Sequence, residues 1–346
     1  MIFRFNGGGV TTVRDRAVTI NDVARIANVS NATVSRYLNK SSAVDQNKCR
    51  SIDEAIRTLG FRLNRNARVL KMNRSTQIMM IVPDIENPFY SVAYKVVQDI
   101  ALQKGYTVTL YNSNGIEGNE LNAIEIAHGL KIDGLIFCSI NDYPQVFKAL
   151  KDFGKPVVAS NSFGELNFDT VHSIKGQGLY VTTNYLLSLG HTKIAYAGGD
   201  ENSVLNERRF TGYQKALSEA GINLRPEYVF NFDFSMEGGY RAAKYFIGLS
   251  ELPAAIACAN DLIAMGVIQT LIGNGNRVPE DVSVTGMDNI EFSKLCMPPI
   301  TTVTNNSREF AENCMELLLT RISQEYEGAP REYLTSRKLV VRESTR

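Results

Sequence analysis

The sequence is poor in the residues that most chemistry needs. Its three histidines, His128, His172 and His191, are scattered with no metal-ligand spacing. The five cysteines, Cys49, Cys138, Cys258, Cys296 and Cys314, lie far apart and never form a C-x-x-C pair. That usage argues against both a zinc site and a disulfide framework, and fits a reducing cytoplasm. No G-x-S-x-G elbow, Walker loop or strand-following G-x-G-x-x-G occurs, so the motifs that carry a nucleophile or cradle a phosphate are missing. "AGGD" at 197–200 is only a paired-glycine turn, and His191 in "LGHTKIAYAG" suits a helix-to-strand turn better than chemistry. No enzyme activity, cofactor or metal is expected. Apolar runs are short as well: Pro83 and Asp84 cut "QIMMIVPD" far below the length that spans a bilayer. The start "MIFRFNGGGVTTVRDRA" lacks the continuous apolar core of a secretory signal, and residues 1–17 read as a flexible extension or an overlong gene start.

What is present is a chain of 346 residues, 44% hydrophobic and 21% charged, the balance of a folded protein with room for two or three domains. Its net charge of +1 conceals a division. Residues 1–76 hold 14 Lys and Arg against five Asp and Glu, giving +9, while the remainder holds 23 basic against 31 acidic groups. A basic head on an acidic body implies that the head meets a polyanion and the body does something else; a merely well-solvated small domain needs no such segregation.

In the head, "TINDVARIANVSNATVSRYLN" contains two helix starts in quick succession. Thr19 caps the first, with Asp22 at capping-box spacing, and Ser30 caps the second. Val23, Ala24, Ile26 and Ala27 form one apolar face, and Val34, Tyr37 and Leu38 the other. A third helix over "QNKCRSIDEAIRTLG", capped by Asp45, closes a small core. Two short helices across a three-residue turn make a helix-turn-helix, whose second helix enters the DNA major groove by its N-terminal residues. Asn31, Ala32, Thr33, Ser35 and Arg36 are spared from the core and are the candidate groove contacts. A generic helical hairpin with a polar outer face is the alternative, which the charge division disfavours.

"TINDVARIANVSNATVSRYLNKSSAVD" closely resembles the opening of the LacI/GalR family of bacterial transcription regulators, and the likeness runs on through "LGFRLNRNARVLK". The resemblance implies that Thr33, Ser35, Arg36 and Asn39 touch DNA as common family contacts, leaving Asn31 and Ala32 to carry operator preference, with Thr19 a further candidate contact to DNA. It further implies a hinge that folds on DNA, with Leu70 wedging between base pairs in the minor groove and Asn64, Ala67, Arg68 and Lys71 beside it. The family usually has proline where this chain has Leu63, so the hinge helix begins without that stiffening. No leucine heptads follow "RKLVVRESTR", so no tetramerising tail is expected.

From Gln77 apolar runs alternate with amphipathic stretches, first "QIMMIVPD", "SVAYKVVQDIALQKG", "YTVTLYN" and "DGLIFCS", then again after about residue 174 with "KIAYAGG", "AAIACAN" and "VSVTGMD". That pattern is α/β, two doubly wound parallel sheets. Ligands of such sheets bind beyond the strands' carboxyl ends, here in a cleft between two lobes. The resemblance extends over this body too, which looks like a type I periplasmic-binding-protein fold. It implies an N-lobe of about 77–173 and 304–333 and a C-lobe of about 174–303 and 334–346, after a head at 18–62 and a hinge at 63–76. Positions matching family ligand contacts are Asn87, Phe89, Tyr90, Arg209 in "RRFTG", Phe234, Asn260 and Asp288, with Ser173 where relatives often carry aspartate. Arg, Asn and Asp suit neighbouring hydroxyls of a polyol, and aromatic faces suit a sugar ring. Singly, Phe89 and Phe234 fit a core equally well, and Asn260 and Asp288 fit helix caps; as a set at strand ends they favour a cleft.

These readings converge on a homodimeric DNA-binding repressor of carbohydrate genes, governed by a small effector such as a sugar or sugar phosphate and acting on a pseudo-palindromic operator. A solute-binding protein without a DNA role, and a regulator taking a phosphoprotein corepressor, are the alternatives.

Overall fold

The computed structural model describes residues 18–39, 44–61, 75–160 and 168–346. They belong to two compact units, Met1–Met72 and Asn73–Arg346.

The described residues of the first unit form helices α1 (Ile20–Ile26), α2 (Asn31–Asn39) and α3 (Gln46–Leu59). Each start is held by local chemistry. Thr19 donates from its amide (3.0 Å) and its hydroxyl (2.7 Å) to Asp22 Oδ2. Ser30 Oγ accepts from the Thr33 amide at 3.2 Å, and Asp45 Oδ1 accepts from the amides of Asn47 and Lys48. Gly60, at φ 61°, ends α3 in a left-handed conformation that only glycine adopts cheaply. Val23, Ala24, Ala27, Val34, Ile52 and Ala55 are buried between the helices, with Tyr37, Leu38 and Leu59 packed against them. Burying a Val or Ile fully contributes about 1.5–3 kcal/mol, so a core this small depends on every member. One polar tie supplements it. Tyr37 donates to Asp53 Oδ1 at 2.6 Å, and that hydrogen bond to a carboxylate raises the phenol from 10.0 to about 12.

The second unit is built on two parallel sheets. The larger takes strands β1 (Gln77–Val82), β2 (Thr107–Asn112), β3 (Gly134–Phe137), β4 (Val157–Ala159), β5 (Asp169–His172) and, from far along the chain, β11 (Glu332–Leu334), in the order β11-β5-β4-β3-β1-β2. The smaller takes β6 (Ile194–Gly198), β7 (Val229–Asn231), β8 (Ala255–Cys258) and β9 (Ser283–Thr285), in the order β7-β6-β8-β9. Central strands such as β1, β3 and β8 are apolar nearly throughout because helices cover both sheet faces. Helices Pro88–Gln103 and Ser307–Ile322 share one core with the larger sheet, while Glu117–Gly129 and Pro144–Asp152 cover its other face.

Three chain crossings join the lobes: after β5, between β10 (Thr302–Val303) and helix Ser307–Ile322, and between β11 and β12 (Leu339–Val340), which pairs back antiparallel onto β10. Two boundaries shift from the sequence reading. Ser75 and Thr76, assigned there to the hinge, donate their amides to the Asp133 carboxylate at 3.0 and 2.8 Å and so belong to the body. Leu334, assigned to the C-lobe, pairs with His172 in the larger sheet, so the last crossing starts after it. Among the described residues no helix is long and apolar enough to cross a membrane.

Candidate functional site

On the first unit, α2 presents Asn31, Ala32 and Arg36 as exposed side chains, with Thr33 and Ser35 half-buried. Asn31 Nδ2 donates to Asn21 Oδ1 at 2.7 Å, a tie from α2 back to the start of α1 that sequence reasoning missed. Arg36 Nε reaches the Ala32 carbonyl at 3.3 Å, which leaves the tip of its guanidinium as a fork for a base edge or phosphate. Thr33 shares a 2.8 Å hydroxyl contact with Ser30, and Thr19 is engaged with Asp22. Asn39 ends α2. Leu63, Asn64, Ala67, Arg68, Leu70 and Lys71 lie outside the described residues.

In the second unit, the carboxyl ends of the strands face a divided cleft. Asn87, Phe89, Tyr90, Arg209, Phe234, Asn260 and Asp288 line an outer cavity of about 360 Å³; Ser173 lines an inner one of about 110 Å³, which also takes in Phe89, Tyr90 and Arg209. Phe89 meets Tyr90 edge-on, with ring centroids 5.0 Å apart, and packs on Phe310 at 5.5 Å. Burial pushes the Tyr90 phenol well above its ordinary value, so it stays a neutral donor.

The R-x-x-G pattern has two separate physical reasons. Arg209 donates from Nη1 to the Ala259 carbonyl at 2.8 Å, stands 3.9 Å from Asp288 Oδ1, and lies 5.1 Å from the centroid of the Phe234 ring. Gly212, one turn on, passes so close to the Gly176 turn that a Cβ would sit 2.0 Å from the Gly176 carbonyl oxygen. The arginine serves the cleft, and the glycine serves the packing that aims it.

Some candidates are committed elsewhere. Asn260 caps helix Asp261–Gly273, accepting from the Ile263 amide at 2.8 Å, and its amide group donates to the Phe234 carbonyl at 2.8 Å. It fixes the aromatic ring as much as it lines the wall. Asn87 likewise caps helix Pro88–Gln103 through the Phe89 amide. Asp288 caps nothing. It sits at φ 108° and accepts from Asn305 Nδ2 at 3.0 Å. Its neighbour Asp261 points away from the cleft, taking the Thr302 hydroxyl at 2.6 Å and the Ile290 amide at 2.9 Å; burial, with Asp288 nearby, pushes it up to about 8.

Sequence reasoning missed Arg337, Lys175, Arg208 and Asn305, which line the inner cavity. Arg337 Nη2 donates to Ser173 Oγ at 2.8 Å across a sequence gap of 164, a pairing no local pattern announces. The lobes also touch directly: Leu205 donates its amide to the Ile140 carbonyl at 3.0 Å, and Arg208 meets Asp142 at 3.0 Å.

Residues 19–64 match the family described as bacterial regulatory proteins, lacI family, and residues 183–345 match a periplasmic binding protein-like domain. The HTH-type transcriptional repressor PurR of Mannheimia succiniciproducens is 32% identical over 333 residues, 95% of this chain and 98% of that protein. Among solved structures, the lac repressor dimer bound to operator and the anti-inducer ONPF aligns with a TM-score of 0.83 at 26% identity, over 95% of this chain and 99% of that one. The complex of the transcriptional regulator CelR with cellobiose aligns with a TM-score of 0.72 at 26% identity, over 94% and 99%. With the family's own domain on the recognition helix and a repressor aligned along nearly the whole chain, the protein belongs to the LacI family of DNA-binding transcriptional repressors, not to a family of enzymes.

Proposed function

We propose that this repressor works as a cytoplasmic homodimer on a pseudo-palindromic operator of carbohydrate-utilisation genes, and that a sugar-like effector held between its lobes sets its grip on DNA. One observation carries the effector half of this reading. The Phe234 ring lies 5.1 Å from the Arg209 guanidinium, and Asp288, Asn87 and Tyr90 line the same 360 Å³ cavity. An aromatic face beside paired donors and acceptors is what a hydroxylated ring binds. The relative CelR, solved with cellobiose, supports the same choice.

The DNA half rests on α2, whose exposed Asn31, Ala32 and Arg36 sit on the basic head. Helix-turn-helix heads read half-sites related by two-fold symmetry, which calls for a dimer. The two halves communicate by linkage: an effector that prefers one lobe geometry shifts the population that suits the operator.

Thermal-shift screening against sugars and nucleobases tests the reading. A stabilising ligand is expected, and Arg209→Ala should abolish its shift. On DNA, Arg36→Ala should weaken specific more than non-specific binding, and Leu70→Ala should reduce bending. Operator binding unchanged in both variants contradicts the DNA half.

A further inference from the structure

The two compartments of the cleft differ in charge. Asp84, Glu86, Asp200, Asp233 and Asp288 line the outer one, against Arg209. Lys175, Arg208, Arg209 and Arg337 line the inner one, with no carboxylate among its described lining residues.

These cations are not equally compensated. Arg208 is paired with Asp142 at 3.0 Å, and Arg209 stands 3.9 Å from Asp288. His172, also on the inner wall, contacts Glu332 at 2.6 Å. Among the described residues the hydrogen-bond partners of Arg337 are neutral, and the Asp288 carboxylate acts on it only from beyond hydrogen-bond distance. Arg337 Nη1 donates to the Thr304 carbonyl at 3.1 Å and its Nη2 to Ser173 Oγ at 2.8 Å, while its Nε is buried with no partner among the described residues. A cation withdrawn from water without a carboxylate in contact is costly unless an anion joins it. Burial accordingly holds Arg337 down to about 10 from 12.5.

A second feature points the same way. Helix Gln177–Ser188 begins at the inner wall: Lys175, Gly176, Gln177 and Gly178 all line it, and the cap residue Gly176 brings no side chain to the amides of the first turn, of which that of Gln177 donates to the Ile174 carbonyl at 3.1 Å. The positive end of a helix of this length favours an oxyanion at its N-terminus.

We infer that the inner compartment seats an oxyanion, a phosphate monoester or a carboxylate, borne by the effector whose hydroxylated part lies in the outer compartment against Phe234. The sizes agree: about 110 Å³ inside admits a compact group, and about 360 Å³ outside admits a ring. This inference rests on the effector reading of the same cleft and narrows it to anionic ligands.

The test is calorimetry on the full chain with matched pairs: ribose and ribose 5-phosphate, glucose and glucose 6-phosphate, gluconate, and inorganic phosphate. At least one anion should bind tenfold or more tightly than its uncharged parent; phosphate against gluconate separates the two oxyanion types. Arg337→Gln should lower that affinity at least tenfold, and Arg337→Lys should restore part of it. Ser173→Asp exchanges the hydroxyl that takes Arg337 Nη2 for a carboxylate, and it should also cost tenfold or more while the ligand-free unfolding midpoint holds or rises. Three results overturn the inference: neutral sugars binding as tightly as the anions, Ser173→Asp leaving anion affinity unchanged, or no binding by any anion. Neutral sugars that bind and are lost on Arg209→Ala overturn the anion alone and leave the sugar cleft standing. Silence from charged and uncharged ligands alike overturns both.

Discussion

Arg337 Nη2 donates to Ser173 Oγ at 2.8 Å while Nη1 donates to the Thr304 carbonyl at 3.1 Å, so one guanidinium ties together all three crossings between the lobes. The fold gains two charge-assisted hydrogen bonds, each worth about 1.5–3 kcal/mol. It also bears the desolvation of a cation with no carboxylate in hydrogen-bond contact among the described residues, several kcal/mol in the opposite direction. These terms nearly cancel. Arg337→Gln should therefore move ligand-free stability by about 1 kcal/mol or less, a shift of about 2–4 °C in Tm by differential scanning calorimetry. A drop several times larger would make Arg337 a structural clamp first.

Asp169 presents the opposite balance. Its carboxylate is buried at the start of β5 and takes Arg321 at 2.8 Å and Arg331 at 2.7 Å, with the Arg331 amide at 2.8 Å besides. Burial works against its charge, but the two guanidiniums outweigh it and hold the carboxyl below its ordinary value. A depressed pKa stabilises the fold above the unfolded value near 4 and loses that contribution as pH falls through the folded one. Asp169→Asn should cost about 3–5 kcal/mol by urea unfolding at pH 7, because it strands two cations. The gap between variant and parent should shrink as pH falls below about 4. A gap that is small at pH 7, or constant with pH, contradicts this account.

Gly212 is required by proximity alone. An added methyl would stand 2.0 Å from the Gly176 oxygen, and that oxygen is backbone in a turn at φ 70°, so it cannot move aside as a side chain would. Gly212→Ala should destabilise the body by about 1–3 kcal/mol through overpacking. It should also weaken effector binding, since the same helix aims Arg209. Wild-type stability in this variant would show that the helix can slide.

What was legible in the sequence was local. Thr19, Ser30 and Asp45 mark helix starts because a cap needs only residues two or three positions on. The apolar runs of β1, β3 and β8 mark buried strands because each is covered on both faces. Strand β11 was not legible: "EYL" is mostly exposed, and it joins the larger sheet only by pairing with β5, about 160 residues earlier. In the cleft, residues at strand ends stood out by motif, whereas Arg337, Lys175 and Asn305 did not. Arg337 meets Ser173 across 164 residues and Asn305 meets Asp288 across 17, and the division of the cleft by charge exists only once the three crossings are brought together.

On the proposed function, a small molecule in the cleft sets the hold of this repressor on its operator. The most direct test is fluorescence anisotropy of the full chain on the operator recovered from a genomic DNA pool, with and without a ligand that raises Tm. The account predicts an operator Kd that moves five-fold or more on adding ligand, and an Arg209→Ala variant that still binds operator but no longer responds. An operator Kd that the bound ligand leaves unmoved contradicts it.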